Sequence, residues 1–145
     1  MTKEIFLKQI KGNTFAAKAD SSHWVVMDSK PEAGGSSGAS SPKELLMMAL
    51  AGCTSMDVVS ILKKKKSNVT GYECLVKGIE RDEHPRIFTG IHVEYVFYGD
   101  GIKPQDVERA IELSTTKYCS VSAMLSAAAK ITHSYRIEPS TNLSD

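Results

Sequence analysis

Three cysteines are the side chains of this chain best suited to chemistry, and their surroundings differ. Cys53 lies in the middle of a long apolar segment, within AGCTSMD. Cys119 lies in KYCSVSAML, just before a predicted helix for which Ser120 is a candidate cap. Exposed helical amides can lower the pKa of a thiol at such a place. Free cysteines are also among the most buried residue types, so either thiol taken alone could be inert. Cys74 falls in a predicted strand and is interpreted as structural.

Two carboxylates lie within ten residues of Cys53 on the same predicted helix. Asp57 comes four residues later, which places it on the same helical face one turn along. Because an unpaired buried charge is very costly, Asp57 either orders a polar group at a reactive site or lies at a solvated gap. An ionised Asp57 beside Cys53 would oppose thiolate formation. Glu44 stands nine residues before Cys53, half a turn out of phase and about 13.5 Å away along the axis. Within one helix Glu44 therefore cannot contact Cys53, and a supporting role there would require contact across a dimer. Its spacing from Ser41 is that of a capping box, which is the alternative role.

The apolar segment from Leu45 to Leu62 superficially resembles a membrane span, because it is 18 residues long and is followed by lysines. Asp57 would cost roughly 2.5–3.5 kcal/mol at the centre of a bilayer. Gly52 and Thr54 dilute the apolar character further. We therefore expect a core helix and no membrane partner.

The composition is that of an ordinary globular protein, with 41% hydrophobic and 24% charged residues and a net charge of +1. The basic run Lys63–Lys66 has no aromatic residues interleaved, so we expect it to close a helix and expect no nucleic-acid partner. No disulfide framework or secretory signal is recognisable, which predicts a cytoplasmic protein. No CxxC pair occurs, and no cofactor or metal is expected because metal-ligand spacing is absent among the four histidines, His23, His84, His92 and His133.

Local patterns predict one α+β domain over residues 1–145, in the order βββ-α-ββ-αα-β. Residues 1–30 alternate as a meander of three short strands. A central helix over 42–66 begins with a capping residue and a proline, and it is apolar on nearly every side. Residues 72–138 contain two strands, two helices and a last strand. One small sheet and two short helices are too little to cover such a helix, so we expect a homodimer with the two long helices packed together.

The two cysteine segments resemble those of the OsmC/Ohr family. The family's helix with the peroxidatic cysteine is resembled by SPKELLMMALAGCTSMDVV, and its segment with the second cysteine is resembled by KYCSVSAML. The paired strands between them are resembled by HPRIFTGIHVEY. The resemblance covers roughly residues 3–138. It implies an antiparallel-rich sheet wrapped around the central helix in an intertwined homodimer, with active sites at the subunit interface. It also implies reduction of small organic hydroperoxides with a dithiol or lipoyl reductant, in which Cys53 becomes a sulfenic acid and then forms a disulfide with Cys119.

Two positions depart from the hydroperoxide-reducing members of that family. Those members use an arginine from the N-terminal strands to hold the thiolate, whereas no arginine precedes Arg81 here. They also place a glutamate directly after the helix-opening proline, where this chain has Lys43, with Glu44 one position later. A second interpretation therefore stays open: a stress-response protein of the same fold that binds a small hydrophobic or thiol-reactive ligand at the dimer interface.

Overall fold

The computed structural model describes residues 1–140, and over these the chain is α+β in the predicted order. A single turn of 3₁₀ helix, Pro31–Ala33, follows the third strand, and a π-helical turn, Ser114–Tyr118, follows the second helix. The strands and helices are β1 (Phe6–Lys11), β2 (Thr14–Lys18), β3 (Trp24–Met27), α1 (Pro42–Lys64), β4 (Gly71–Glu80), β5 (Phe88–Tyr98), α2 (Pro104–Leu113), α3 (Ser120–Leu125) and β6 (Lys130–Glu138).

The strands form two three-stranded sheets, whereas the sequence predicted one antiparallel-rich sheet. Strands β1, β2 and β3 pair only with one another, as an antiparallel meander. The second sheet has the order β4-β5-β6, with β4 antiparallel and β6 parallel to β5. The parallel pair arises because the helical segment between β5 and β6 forms a crossover connection.

The chain divides into two compact units, residues 1–46 and the part from Met47 onward. The first unit contains the β1-β2-β3 sheet and the first residues of α1. The second contains the rest of α1, the β4-β5-β6 sheet and the two short helices. That the whole chain is a single domain stays a prediction.

Within one chain, helix α1 buries a single stripe of its circumference. Leu50, Thr54, Val58 and Leu62 recur every four residues and are at most 1% exposed. On the second sheet, one face of β5 points inward, and its residues Ile91, Val93, Tyr95 and Phe97 join the same buried cluster. The other sides of α1 remain open, with Met56 76% exposed, because one chain supplies neighbours for only part of the helix.

Helix α1 ends at Lys64, two residues before the predicted end. Lys66 adopts a left-handed backbone conformation with φ of 56°, which stops the helix. By length and apolar composition α1 could also cross a membrane. A single helix of this kind is weak evidence, since the central helix of a soluble domain meets the same criterion.

Candidate active site

Three of the four predicted site residues meet in the second unit. The Sγ atoms of Cys53 and Cys119 and a carboxylate oxygen of Asp57 all lie within 4.8 Å of one another. Cys53 and Asp57 are neighbours because they lie one turn apart on α1. Cys119 comes from 66 residues further along the chain, so only the tertiary structure places it there.

The π-helical turn positions the third member of this cluster. The Cys119 N–H donates to the Ser114 carbonyl five residues earlier, at 2.8 Å. Within this wide turn the Ser114 side chain is fully buried, and Cys119 is 3% exposed at its end. Turns of this kind occur frequently at functional sites. No pattern in the sequence predicted this turn or singled out Ser114 as a site residue.

The environment of Cys119 favours the neutral thiol. Burial raises its pKa, and the nearby Cys53 acts in the same direction, although Ser122 opposes both. The Cys119 Sγ accepts the Ser122 N–H at 3.3 Å, so Cys119 caps α3 in place of the predicted Ser120. The expected lowering of this pKa by helical amides is therefore wrong, because burial outweighs it.

Asp57 has a buried hydroxyl as its partner. Ser114 Oγ donates to Asp57 Oδ2 at 3.0 Å, and Thr54 Oγ1 lies 3.0 Å from Ser114 Oγ. Tyr95 OH lies 2.7 Å from Thr54 Oγ1 and 3.2 Å from His133 Nδ1. Each hydroxyl has one proton, so if Ser114 donates to Asp57, then Thr54 donates to Ser114, Tyr95 to Thr54 and the Nδ1–H of His133 to Tyr95. We call these five residues the polar chain.

Both titratable groups at the far end of the polar chain are neutral near pH 7. Burial raises the pKa of Tyr95 to about 12, although its hydrogen bond to Thr54 opposes the shift. Burial lowers the pKa of His133, and His92 on the neighbouring strand acts in the same direction. A protonated phenol and a neutral imidazole fit the donor directions that Asp57 imposes.

A groove of about 300 Å³ gives access to the Asp57 side of this cluster. It combines apolar walls with a carboxylate and an ammonium group. Within residues 1–140, Asp57 forms no ion pair with any lysine or arginine, including the lysine that borders the groove. The residues lining it are Asp57, Ser60, Ile61, Lys64, Leu113 and Tyr118.

Glu44 and Cys74 take no part in the cluster. Glu44 Oε2 accepts the Ser41 N–H at 2.7 Å, and Ser41 Oγ accepts the Glu44 N–H at 3.3 Å, which confirms the capping box. Cys74 is half-buried on β4, and burial raises the pKa of its thiol. Nothing in its surroundings contradicts the structural role predicted for it.

Comparison with known proteins agrees with this architecture. The sequence model of the OsmC-like protein family matches residues 34–134. Protein YhfA of Escherichia coli K12 is 41% identical over 133 residues, which cover 90% of this chain and 95% of YhfA. A hypothetical protein from Aquifex aeolicus VF5 has a TM-score of 0.84 at 32% identity, covering 96% of this chain and 98% of that one. An organic hydroperoxide resistance protein from Legionella pneumophila shares the fold, with a TM-score of 0.69 at 14% identity over 93% and 96% of the two chains.

Proposed function

Because the chain belongs to the OsmC-like family, we propose that it is a thiol-dependent peroxidase that reduces organic hydroperoxides through Cys53 and Cys119. One observation carries the proposal: the two Sγ atoms lie within 4.8 Å of each other, although the residues are far apart in sequence. A dimer with a purely structural role would not require two thiols to lie this close together. The hydroperoxide resistance protein that shares the fold supports the same class of substrate.

The proposed reaction has two steps at sulfur. The Cys53 thiolate attacks the distal peroxide oxygen, the O–O bond breaks, and the alkoxide leaves as an alcohol after taking up a proton. Cys119 then attacks the sulfur of the Cys53 sulfenic acid, water leaves, and a disulfide forms. A disulfide has an S–S length of about 2.05 Å, so the two side chains must approach further in this step. An external dithiol, such as a lipoyl group, reopens the bond.

The surroundings of the two thiols support this order of attack. Cys53 is half-buried on α1, one turn from the Asp57 that borders the groove, where a small hydroperoxide can approach. Cys119 is buried, and burial raises the pKa of its thiol, which favours the neutral form in the reduced protein. A thiolate is the attacking form, so the more accessible Cys53 is the better first nucleophile.

The remaining parts of the proposal concern partners and location. We expect a cytoplasmic homodimer, in keeping with the resemblance and with the open sides of α1. The polar chain ends at Asp57 beside both thiols, and we expect it to orient the Asp57 carboxylate at the site.

A steady-state assay with cumene hydroperoxide and a dithiol tests the proposal. Wild type should turn over, Cys53→Ser should be inactive, and Cys119→Ser should accumulate a sulfenic acid that a dimedone probe traps. Cys74→Ser is the matched control and should keep wild-type turnover. Turnover that survives in Cys53→Ser would contradict the mechanism. Wild-type protein that neither turns over nor loses free thiols in excess peroxide would support the ligand-binding interpretation instead.

A further inference from the structure

The Cys53–Asp57–Cys119 cluster brings two sulfurs and a carboxylate oxygen within 4.8 Å of one another. Within residues 1–140 no lysine or arginine is paired with the Asp57 carboxylate. Three such ligand atoms converging on one place are the donor set of a metal site, and a divalent cation bound among them would supply the missing positive charge.

The donor set suits a thiophilic cation. Zinc takes thiolate and carboxylate ligands in tetrahedral sites, and three protein ligands with one open position are typical of sites that exchange water or a ligand. Two sulfurs bound to the same zinc stand about 3.8 Å apart, as follows from Zn–S bonds near 2.3 Å. The ligand atoms here already lie within 4.8 Å of one another. Rotations of the half-buried Cys53 and Asp57 side chains are enough to close the remaining difference.

Groups behind the ligands are arranged as a metal site requires. Ser114 Oγ donates to Asp57 Oδ2, which leaves Oδ1 for a cation. The Ser122 N–H donates to Cys119 Sγ. The Ser122 hydroxyl is buried beside that sulfur and has no hydrogen-bond partner of good geometry among the described residues. It is a donor that a metal-bound thiolate at Cys119 would satisfy. Groups that hydrogen-bond to metal ligands in this way orient them, and removing such a group commonly lowers the metal affinity by about 10–100-fold.

We propose that the reduced protein binds one thiophilic divalent cation of the zinc class per chain, through Cys53 Sγ, Cys119 Sγ and the Asp57 carboxylate. Of the three ligands, Asp57 borders the groove, through which a cation can approach. No histidine takes part, which is why the spacing of histidines in the sequence gave no indication of the site.

Metal binding and disulfide formation exclude each other, and this consequence rests on the proposed function. Two thiolates, one hydroperoxide and two protons give one disulfide, one alcohol and one water. The sulfurs are then no longer anionic ligands, and the cation leaves. The bound metal would therefore protect the thiols from oxidation, because peroxide has to compete with the metal for the same two sulfurs.

Titration of the reduced, metal-free protein with Co²⁺ under argon tests the site. We expect one Co²⁺ per chain, tetrahedral d–d absorption and an intense thiolate-to-cobalt charge-transfer band, all displaced by one equivalent of Zn²⁺. Cys53→Ser should weaken the charge-transfer band and the affinity. Asp57→Asn should keep the band but bind less tightly, and Ser114→Ala should lose affinity by about 10–100-fold. Cys74→Ser, whose thiol lies outside the cluster, is the control and should bind as wild type does.

The outcomes separate this proposal from the peroxidase. A wild-type protein without charge-transfer absorption, or with the same band in Cys53→Ser, overturns the metal site whatever the peroxidase assay shows. Circular dichroism of each variant shows whether it is folded; should Cys119→Ser unfold because its thiol is buried, Cys53→Ser and Asp57→Asn still decide the matter. Metal binding without peroxide turnover would refute the proposed peroxidase and leave the site standing.

Discussion

At the scale of single residues, the polar chain is the most unusual feature of the core. Thr54, Tyr95 and Ser114 are fully buried, and each hydroxyl is satisfied by another member of the chain. Burying hydroxyls in this number is unfavourable unless all are paired. Their retention in a core otherwise built of aliphatic and aromatic side chains indicates that they hold Asp57 in place beside the two thiols.

Replacing Thr54 by valine tests how the polar chain contributes to stability. The change keeps the shape of the side chain but leaves Ser114 and Tyr95 without a shared partner. We expect the free energy of unfolding to fall by about 1–3 kcal/mol, because a buried donor or acceptor loses its hydrogen bond. Urea denaturation measures it. Thr2→Val, at an exposed position whose hydroxyl makes no hydrogen bond among the described residues, is the control and should change stability by no more than about 0.5 kcal/mol. An unchanged denaturation midpoint in Thr54→Val would show that the hydrogen bonds of Thr54 in the polar chain do not contribute to stability.

The lowered pKa of His133 predicts a loss of stability in mild acid. In the unfolded chain a histidine titrates near its ordinary value of 6.5, whereas burial keeps His133 neutral to lower pH in the folded protein. As the pH falls below about 6.5, the unfolded chain therefore binds the extra proton, and the free energy of unfolding decreases until the folded-state pKa is reached. His133→Gln should reduce this slope when urea denaturation is repeated between about pH 7 and pH 5. His23→Gln, at an exposed position, is the control. An identical slope in wild type and His133→Gln would contradict the assignment.

At the scale of elements, helix α1 begins where the sequence indicates. Ser41, Pro42 and Glu44 occupy the positions that a capping box requires, and both reciprocal hydrogen bonds are present. The bond from the Ser41 amide lowers the pKa of the Glu44 carboxyl, so the box is complete at neutral pH and weakens as the pH falls through that lowered value. The start of α1 is thus fixed by contacts between residues close in sequence.

Ser41→Ala measures the contribution of this cap. The Glu44 N–H loses its acceptor, and we expect a loss of about 0.5–2 kcal/mol in the free energy of unfolding. Thermal and urea unfolding both report it. The neighbouring Ser40→Ala is the matched control, since the Ser40 side chain makes no hydrogen bond among the described residues. Equal stability of the two variants would mean that the helix start is held by packing instead of by the box.

Local signals predicted most elements but could not predict the site in full. The capping box, the alternation of β5 and the i, i+4 relation of Cys53 to Asp57 depend on neighbours in sequence, and all are present. The π-helical turn is different, because Ser114 is held inward by Thr54 and Asp57, which lie on another helix. The turn is therefore a product of tertiary structure. The pKa of Cys119 was misjudged for the same reason, since its burial depends on elements distant in sequence.

The loop after β3 shows the same limit. Asp28 is 2% exposed, and its carboxylate accepts hydrogen bonds from Thr14 Oγ1 and Ser36 Oγ and from the amides of Ser29, Ser36 and Gly38. These bonds, with the Ser36 hydroxyl contributing most, hold the pKa of Asp28 well below its usual range. Nothing in the sequence around Asp28 indicates that one carboxylate organises the loop that follows it.

At the scale of the whole molecule, each unit leaves apolar surface uncovered. Every residue of β1 is exposed, and three consecutive residues of β3 are exposed, so these two strands are open on both faces, whereas Ala16 and Ala17 of β2 between them are buried. Because contiguous apolar surface commonly marks an interaction site, we expect a partner to cover it. On α1 the exposed apolar residues are Leu46, Met48, Met56 and Val59, and in the first unit they are Ile5, Phe6, Leu7, Ile10, Trp24, Val25 and Val26.

A second copy of the chain is the partner that this surface and the family resemblance together favour, and Met56 is the place to test it. Its side chain is 76% exposed on α1, three residues from Cys53 but outside the buried stripe. We expect wild type to sediment at twice the chain mass of 15.8 kDa and Met56→Glu to sediment as a folded monomer, because a charge buried at an interface is strongly unfavourable. Met124→Glu introduces the same change at a 67% exposed position on α3 and should remain dimeric. If the active site needs the partner subunit, the loss of the dimer in Met56→Glu should also lower peroxide turnover. A wild-type protein that stays monomeric at all concentrations would refute the dimer.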